Sequence, residues 1–208
     1  MIKLRGCVSG FVILASCLAF GQDRGGGWRT YRPNEEVRVS DLPSLTAHSR
    51  DLPDVLAASL EIVFHDPEIC CGKNSALQDR ALTADPLSLK EVGSKIQGRQ
   101  LLSDGRPIHV TANFVAFSPG TDISYQIINA LKDNHALLMV WDSHLYVVCG
   151  AVFDAVYYSD SNSTAYMIHT LLLLDARFSG GRREVVFNRD SDDGGKVQGV
   201  LLLTWAPQ

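Results

Sequence analysis

With 208 residues, 46% of them apolar, the chain is long enough to bury a sizeable core and suits one main domain. A formal charge of −4 and scattered basic residues, of which only Arg182-Arg183 stand side by side in an expected hairpin turn, argue against a nucleic-acid face or an anionic membrane surface. No internal repeat and no glycine-rich phosphate loop after a strand is visible.

The first residues read as an export signal over 1–21. Lys3 and Arg5 give a positive start, Cys7 to Leu18 is largely apolar, and Ala19-Phe20-Gly21 offers small residues at the two positions a signal peptidase reads. That apolar run is short for a transmembrane helix. Leu14-Ala15-Ser16-Cys17 offers a rival processing site, similar to a bacterial lipobox with a lipid anchor at Cys17. The apolar Leu18-Ala19-Phe20 after Cys17 favours plain secretion, so the expected location is extracytoplasmic, either secreted or periplasmic. Three cysteines then remain, Cys70, Cys71 and Cys149, which allows one disulfide plus a thiol or three thiols. Cys70 with Cys149 is the pairing that leaves Cys71 reduced. Bridging the adjacent Cys70 and Cys71 strains the link.

Residues 22–50 are polar and rich in turn formers, so they read as a tether or an arm draped over the domain at 51–208. Asp51 can cap a helix beginning near Pro53, with Val55, Leu56, Leu60 and Val63 at helical spacing. After a turn at His65-Asp66-Pro67, a second helix is expected from Cys71 or Gly72 to about Thr83. Ser88 and Glu91 form a capping-box pattern that opens a short helix, which Gly98 can close. Strand character begins at Pro107 to Phe117. Ile123, Ile127, Ile128 and Leu131 then mark an amphipathic helix. Leu137 to Trp141, His144 to Phe153, Ala155 to Tyr158, Met167 to Phe178, Glu184 to Asn188 and Val197 to Trp205 read as strands of an antiparallel sheet. Helices early and strands late predict an α+β architecture, N-terminal helices packed on a C-terminal antiparallel sheet.

Three residues in this order carry chemistry. Cys71 would open a helix, where the dipole favours a thiolate and Gly72 leaves room around the sulfur. Taken alone, such a cysteine is more often a small buried hydrophobe. Cys70, one residue further from the helix, ranks second. His144 follows the turn-like Asp142-Ser143 and begins an apolar strand, although strand histidines are commonly just half-exposed. Asp160 ends the second of two expected consecutive strands, where a hairpin would bring it beside His144; its bland reading is a turn residue in Ser159-Asp160-Ser161-Asn162. Nucleophile, base and orienting acid form the set a thiol hydrolase needs.

On these motifs the chain resembles the papain-like cysteine peptidases, and within them the bacteriocin-processing leader peptidases and their exported relatives. Cys71-Gly72-Lys73-Asn74-Ser75-Ala76-Leu77 is similar to the family's nucleophile motif. His144 through Gly150 is similar to its histidine strand, and Asp160 to the aspartate closing the next strand. The resemblance implies a papain-like fold, a Cys71, His144, Asp160 triad and a peptide or protein substrate. It implies no metal or organic cofactor. The family's oxyanion-donating glutamine, about six residues before the nucleophile, is replaced by His65, which either donates from its ring or is a turn residue. Ser161 also stands where the family usually has proline.

The expectation is an exported thiol hydrolase, a cysteine peptidase or related amidase. The alternatives are a non-catalytic exported papain-like binding module, motivated by His65, and a transglutaminase-like acyl transferase. Zinc spacings are absent around His109, His135 and His144. Asp190-Ser191-Asp192-Asp193-Gly194 lacks the glutamate of a calcium loop, because Leu201 fills the twelfth position.

Overall fold

A computed structural model describes residues 27–43, 47, 51–64, 88–102, 105–117, 123–141, 143–178, 181–186 and 197–208. The export signal, Cys17, His65, Cys70, Cys71 and the helix expected after Cys71 lie outside these residues.

Three helices and eight strands are described: β1 (Arg29–Arg38), α1 (Leu52–Phe64), α2 (Leu89–Ile96), β2 (Gly98–Leu101), β3 (Pro107–Ala116), α3 (Ser124–Lys132), β4 (Leu137–Trp141), β5 (His144–Tyr158), β6 (Ser163–Leu174), β7 (Arg182–Val186) and β8 (Val197–Pro207). Every described strand pair is antiparallel. The architecture is α+β. The strand order β2-β3-β8-β4-β5-β6-β7 inserts the last strand, β8, between β3 and β4.

The helices follow from their sequences. In α1 the residues at helical spacing, Val55, Leu56, Leu60 and Val63, are all buried, and the helix packs on β4 and β5. The Ser88 hydroxyl accepts from the Glu91 N–H and caps α2, which satisfies a donor with no partner inside the helix. This helix packs on β3, β8 and β4, while α3 contacts β6, β1 and β5. The core runs through β4 and the first half of β5, where Leu137 to Val140 and Leu145 to Val148 are buried on both faces. No helix among the described residues is long and apolar enough to cross a membrane.

Two features depart from the sequence reading. Part of the segment read as a tether or arm, residues 29–38, forms β1 and pairs with β5 from Arg29↔Tyr158 to Arg38↔Gly150. Its side chains are mostly exposed and charged, so it carries no alternating apolar signal. The expected strands 144–153 and 155–158 are one 15-residue strand. Its first half pairs with β4 and its second half with β1 along one edge, while β6 runs along the other.

Asp154 had marked the expected break, and it is tolerated inside the strand because its carboxylate is fully engaged. Bulges flank it on both sides. Pro33 and Asn34 together oppose it on β1, with Asn34 at φ 53°, and His169 is the additional residue on β6. The Asn34 N–H and His169 Nε2 donate to Oδ1, each at 2.9 Å, and the Tyr31 hydroxyl donates to Oδ2 at 2.5 Å. Asp154 is only 6% exposed. Burial pushes its carboxyl up, but the bonds from Tyr31, Asn34 and His169 outweigh that and hold it below its ordinary value. The same contact raises the Tyr31 hydroxyl, first through its hydrogen bond to Asp154.

Candidate active site

His144 is the first residue of β5, paired with Trp141 across the tight turn that Ser143 makes at φ 63°. Its side chain is exposed, and the buried strand behind it fixes its place.

Asp160 does not meet His144. It lies in the 159–162 turn between β5 and β6, beyond the Tyr158↔Ser163 pair, where its Oδ1 accepts from the Ser161 N–H at 2.9 Å. The whole of β5 separates it from His144, roughly 50 Å of chain at about 3.3 Å per residue. Asp160 therefore belongs to the opposite end of the sheet, beside Gly27, where a Cβ would come within 3.0 Å of the Asp160 Cβ. The expected hairpin failed because β5 continues through Asp154.

The strand that follows the histidine strand is β6, and the carboxylate that ends it is Asp175. The last β5–β6 pair is Val147↔Leu174, so the next step sets Asp175 opposite Tyr146. Residues two apart on a strand share a face, so His144, Tyr146 and Asp175 face the same way. A diagonal pair of this kind has Cα atoms about 7–8 Å apart. The sequence signal was present in the run Leu171 to Leu174 ending in an acid. It was masked once the strands were cut at Asp154.

Asp175 is 2% exposed. Its Oδ1 accepts from the Arg177 N–H at 3.1 Å and from Nε at 2.7 Å, and its Oδ2 accepts from Nη2 at 2.6 Å. The turn below is closed by the Asp175 N–H donating to the Gly181 carbonyl and the Phe178 N–H to the Asp175 carbonyl. Arg177 lies against Tyr146 and Phe178, its guanidinium carbon 5.7 Å from each ring centroid. The bond to Asp175 comes first among the causes that raise the guanidinium, against the opposing effect of burial.

Cys149, one step before Gly150, is not in a disulfide, which excludes the one of the open arrangements that pairs it with Cys70. Its thiol donates to the Leu172 carbonyl at 3.3 Å. Among the described residues no three His, Cys, Asp or Glu side chains gather as a metal-ligating group. Comparison with protein-family models, with curated proteins and with solved structures returned no match.

Proposed function

We propose that the chain is an exported thiol hydrolase of papain-like fold, a cysteine peptidase or related amidase, with Cys71 as nucleophile, His144 as base and Asp175 in place of Asp160 as orienting acid. One observation carries this reading: the hairpin of β5 and β6 brings a buried carboxylate to the His144 end of the sheet, on the His144 face. In the proposed reaction the Cys71 sulfur adds to the substrate carbonyl while His144 holds its proton. The Cys71 N–H, with His65 as a second donor, stabilises the oxyanion. His144 then protonates the leaving amine as the C–N bond breaks. A water, deprotonated by His144, splits the thioester and restores the thiol. Asp175 keeps the imidazole in one orientation.

The test is alkylation of the reduced protein by iodoacetamide across pH, with the adduct mapped by mass spectrometry. An activated Cys71 retains its labelling rate below neutrality, where an ordinary thiol slows about tenfold per pH unit. His144→Ala is expected to return the profile to that of an ordinary thiol, and Asp160→Asn to leave it unchanged. Wild-type labelling that follows an ordinary thiol titration sinks the reading.

A second reading is an exported binding module that keeps this architecture without catalysis. The observation favouring it is that both oxygens of Asp175 already hold Arg177. An unreactive Cys71 in a folded, reduced protein is the outcome it expects.

A further inference from the structure

Where β5 and β6 run on toward the 159–162 turn, aromatic side chains stand in a row on one face of the sheet. The pairs Ala155↔Tyr166 and Tyr157↔Thr164 set Tyr157 and Tyr166 on a shared face, one diagonal step apart. Trp28, just before β1, brings its ring 5.6 Å from that of Tyr157 at 49°. From α3, the Tyr125 ring lies 6.1 Å from the Tyr166 ring at 29°. Trp28 is 58% exposed and Tyr125 54%, with Tyr157 and Tyr166 half-buried between them.

The row is held in place by its neighbours. The Trp28 N–H donates to Ser159 Oγ at 2.8 Å and the Ser159 N–H to the Trp28 carbonyl at 3.1 Å, which fixes the backbone under the indole. The Tyr157 hydroxyl donates to Asn162 Oδ1 at 2.7 Å, so the Asn162 amide nitrogen remains a donor at that end. Phe153 meets Tyr166 edge-on at 5.4 Å. At the α3 end the Lys132 ammonium lies 4.5 Å from the Tyr166 centroid and 5.3 Å from that of Phe153. It donates to the Tyr166 hydroxyl at 3.1 Å, one of its three donors, and pairs with no carboxylate among the described residues.

The composition of this face selects its ligand. Between the rings stand the hydroxyls of Thr30 and Thr164, which flank Tyr157. The exposed aliphatic side chains described, Leu101 and Met167, lie elsewhere: Leu101 on β2, and Met167 on the opposite face of β6, one residue from Tyr166. A protein or lipid partner gains most from buried aliphatic area, which this face does not offer. A pyranose ring has C–H faces that pack on aromatic rings and hydroxyls at its rim that pair with threonine and amide groups. A carboxylate on such a sugar complements the one fixed cation of the row. We infer that Trp28, Tyr157, Tyr166 and Tyr125 form a binding platform for an acidic polysaccharide, with sugar rings stacked on the aromatic side chains and a sugar carboxylate at Lys132. The inference stands apart from the thiol-hydrolase reading, because no group of the platform takes part in that chemistry.

The experiment titrates the full chain by calorimetry with hexasaccharides of alginate, polygalacturonate and hyaluronate, and with neutral cellohexaose. At least one acidic oligosaccharide is expected to bind, more tightly than cellohexaose and more weakly as salt rises. Trp28→Ala should weaken that binding by about threefold to tenfold, as the loss of one stacked ring implies. Lys132→Gln should weaken it by about threefold to fivefold and leave cellohexaose unaffected. Met167→Ala, on the other face, should change neither. Thermal unfolding confirms that each variant is folded, and the two single substitutions test the platform from opposite ends should one of them fail. The inference is overturned if none of the acidic oligosaccharides binds, or if binding ignores both Trp28→Ala and Lys132→Gln. Cellohexaose binding as tightly as the acidic chains removes the acidic class and overturns it too. A dimer in sedimentation that Trp28→Ala dissociates assigns the face to a second copy of the chain instead.

Discussion

Asp154 and Asp175 are both buried carboxylates, and their partners come from different distances. Asp175 is satisfied by Arg177, two residues away and within the same turn. Asp154 collects Tyr31 and Asn34 from more than a hundred positions upstream and His169 from the neighbouring strand. A local pair stiffens one turn and can be set beside a reacting group without holding the sheet together. A long-range hub joins three strands, so its loss is felt wherever those strands meet.

The largest effect that sharpens this contrast is expected from Asp154→Ala. It leaves the Tyr31, Asn34 and His169 donors without their shared acceptor and should cost about 3 kcal/mol in urea unfolding, since breaking a buried charged network is expensive. Hydrogen exchange should rise along 29–38 and 150–158. Exchange that rises only near residue 154 breaks the comparison. Gly150→Ala comes next, at about 2 kcal/mol for an overpacked site. A Cβ there would lie 2.7 Å from the Val37 carbonyl oxygen and 2.8 Å from the Leu172 Cδ1, so β1 must retreat from β5.

The pH dependence is smaller. The folded Asp154 carboxyl titrates below its ordinary value of 3.8, so its contribution is complete above about pH 4 and is lost as pH falls through the folded value. Asp154→Asn should flatten that part of the acid-unfolding curve, and an unchanged acid limb would show that the hub adds little. The smallest signal is spectroscopic. One tyrosine, Tyr31, should ionise above the usual range by ultraviolet titration and return toward it in Asp154→Asn.

The contrast also explains what could be read from sequence. The α1 face, the Ser88 cap of α2, and strands β3, β4 and β8 were legible because their signals lie within a few residues of each other. β1 was illegible because an exposed charged strand looks like linker. It is a strand only because β5 offers it a ladder of backbone partners. β2 has four residues, too few to show a period. Asp154 read as a break because its partners are distant in the chain, and that single misreading moved the end of the next strand from Asp175 to Asp160. The placement of His144 at a strand start was legible from its turn. Cys71 and His65, the proposed nucleophile and oxyanion donor, were read from their sequence motif and lie outside the described residues.

The sharing of one edge of β5 by β4 and β1 bears on how the molecule assembles. Arg38 and Val39 meet β5 at Cys149 and Gly150, next to the Leu137↔Val148 pair that ends the β4 ladder. β1 is synthesised early, yet its whole template emerges more than a hundred residues later. Closing so large a loop is entropically slow compared with zipping adjacent hairpins. The amino-terminal strand is thus the natural last arrival, and a refolding experiment should find its amides protected after those of the β4–β5 hairpin.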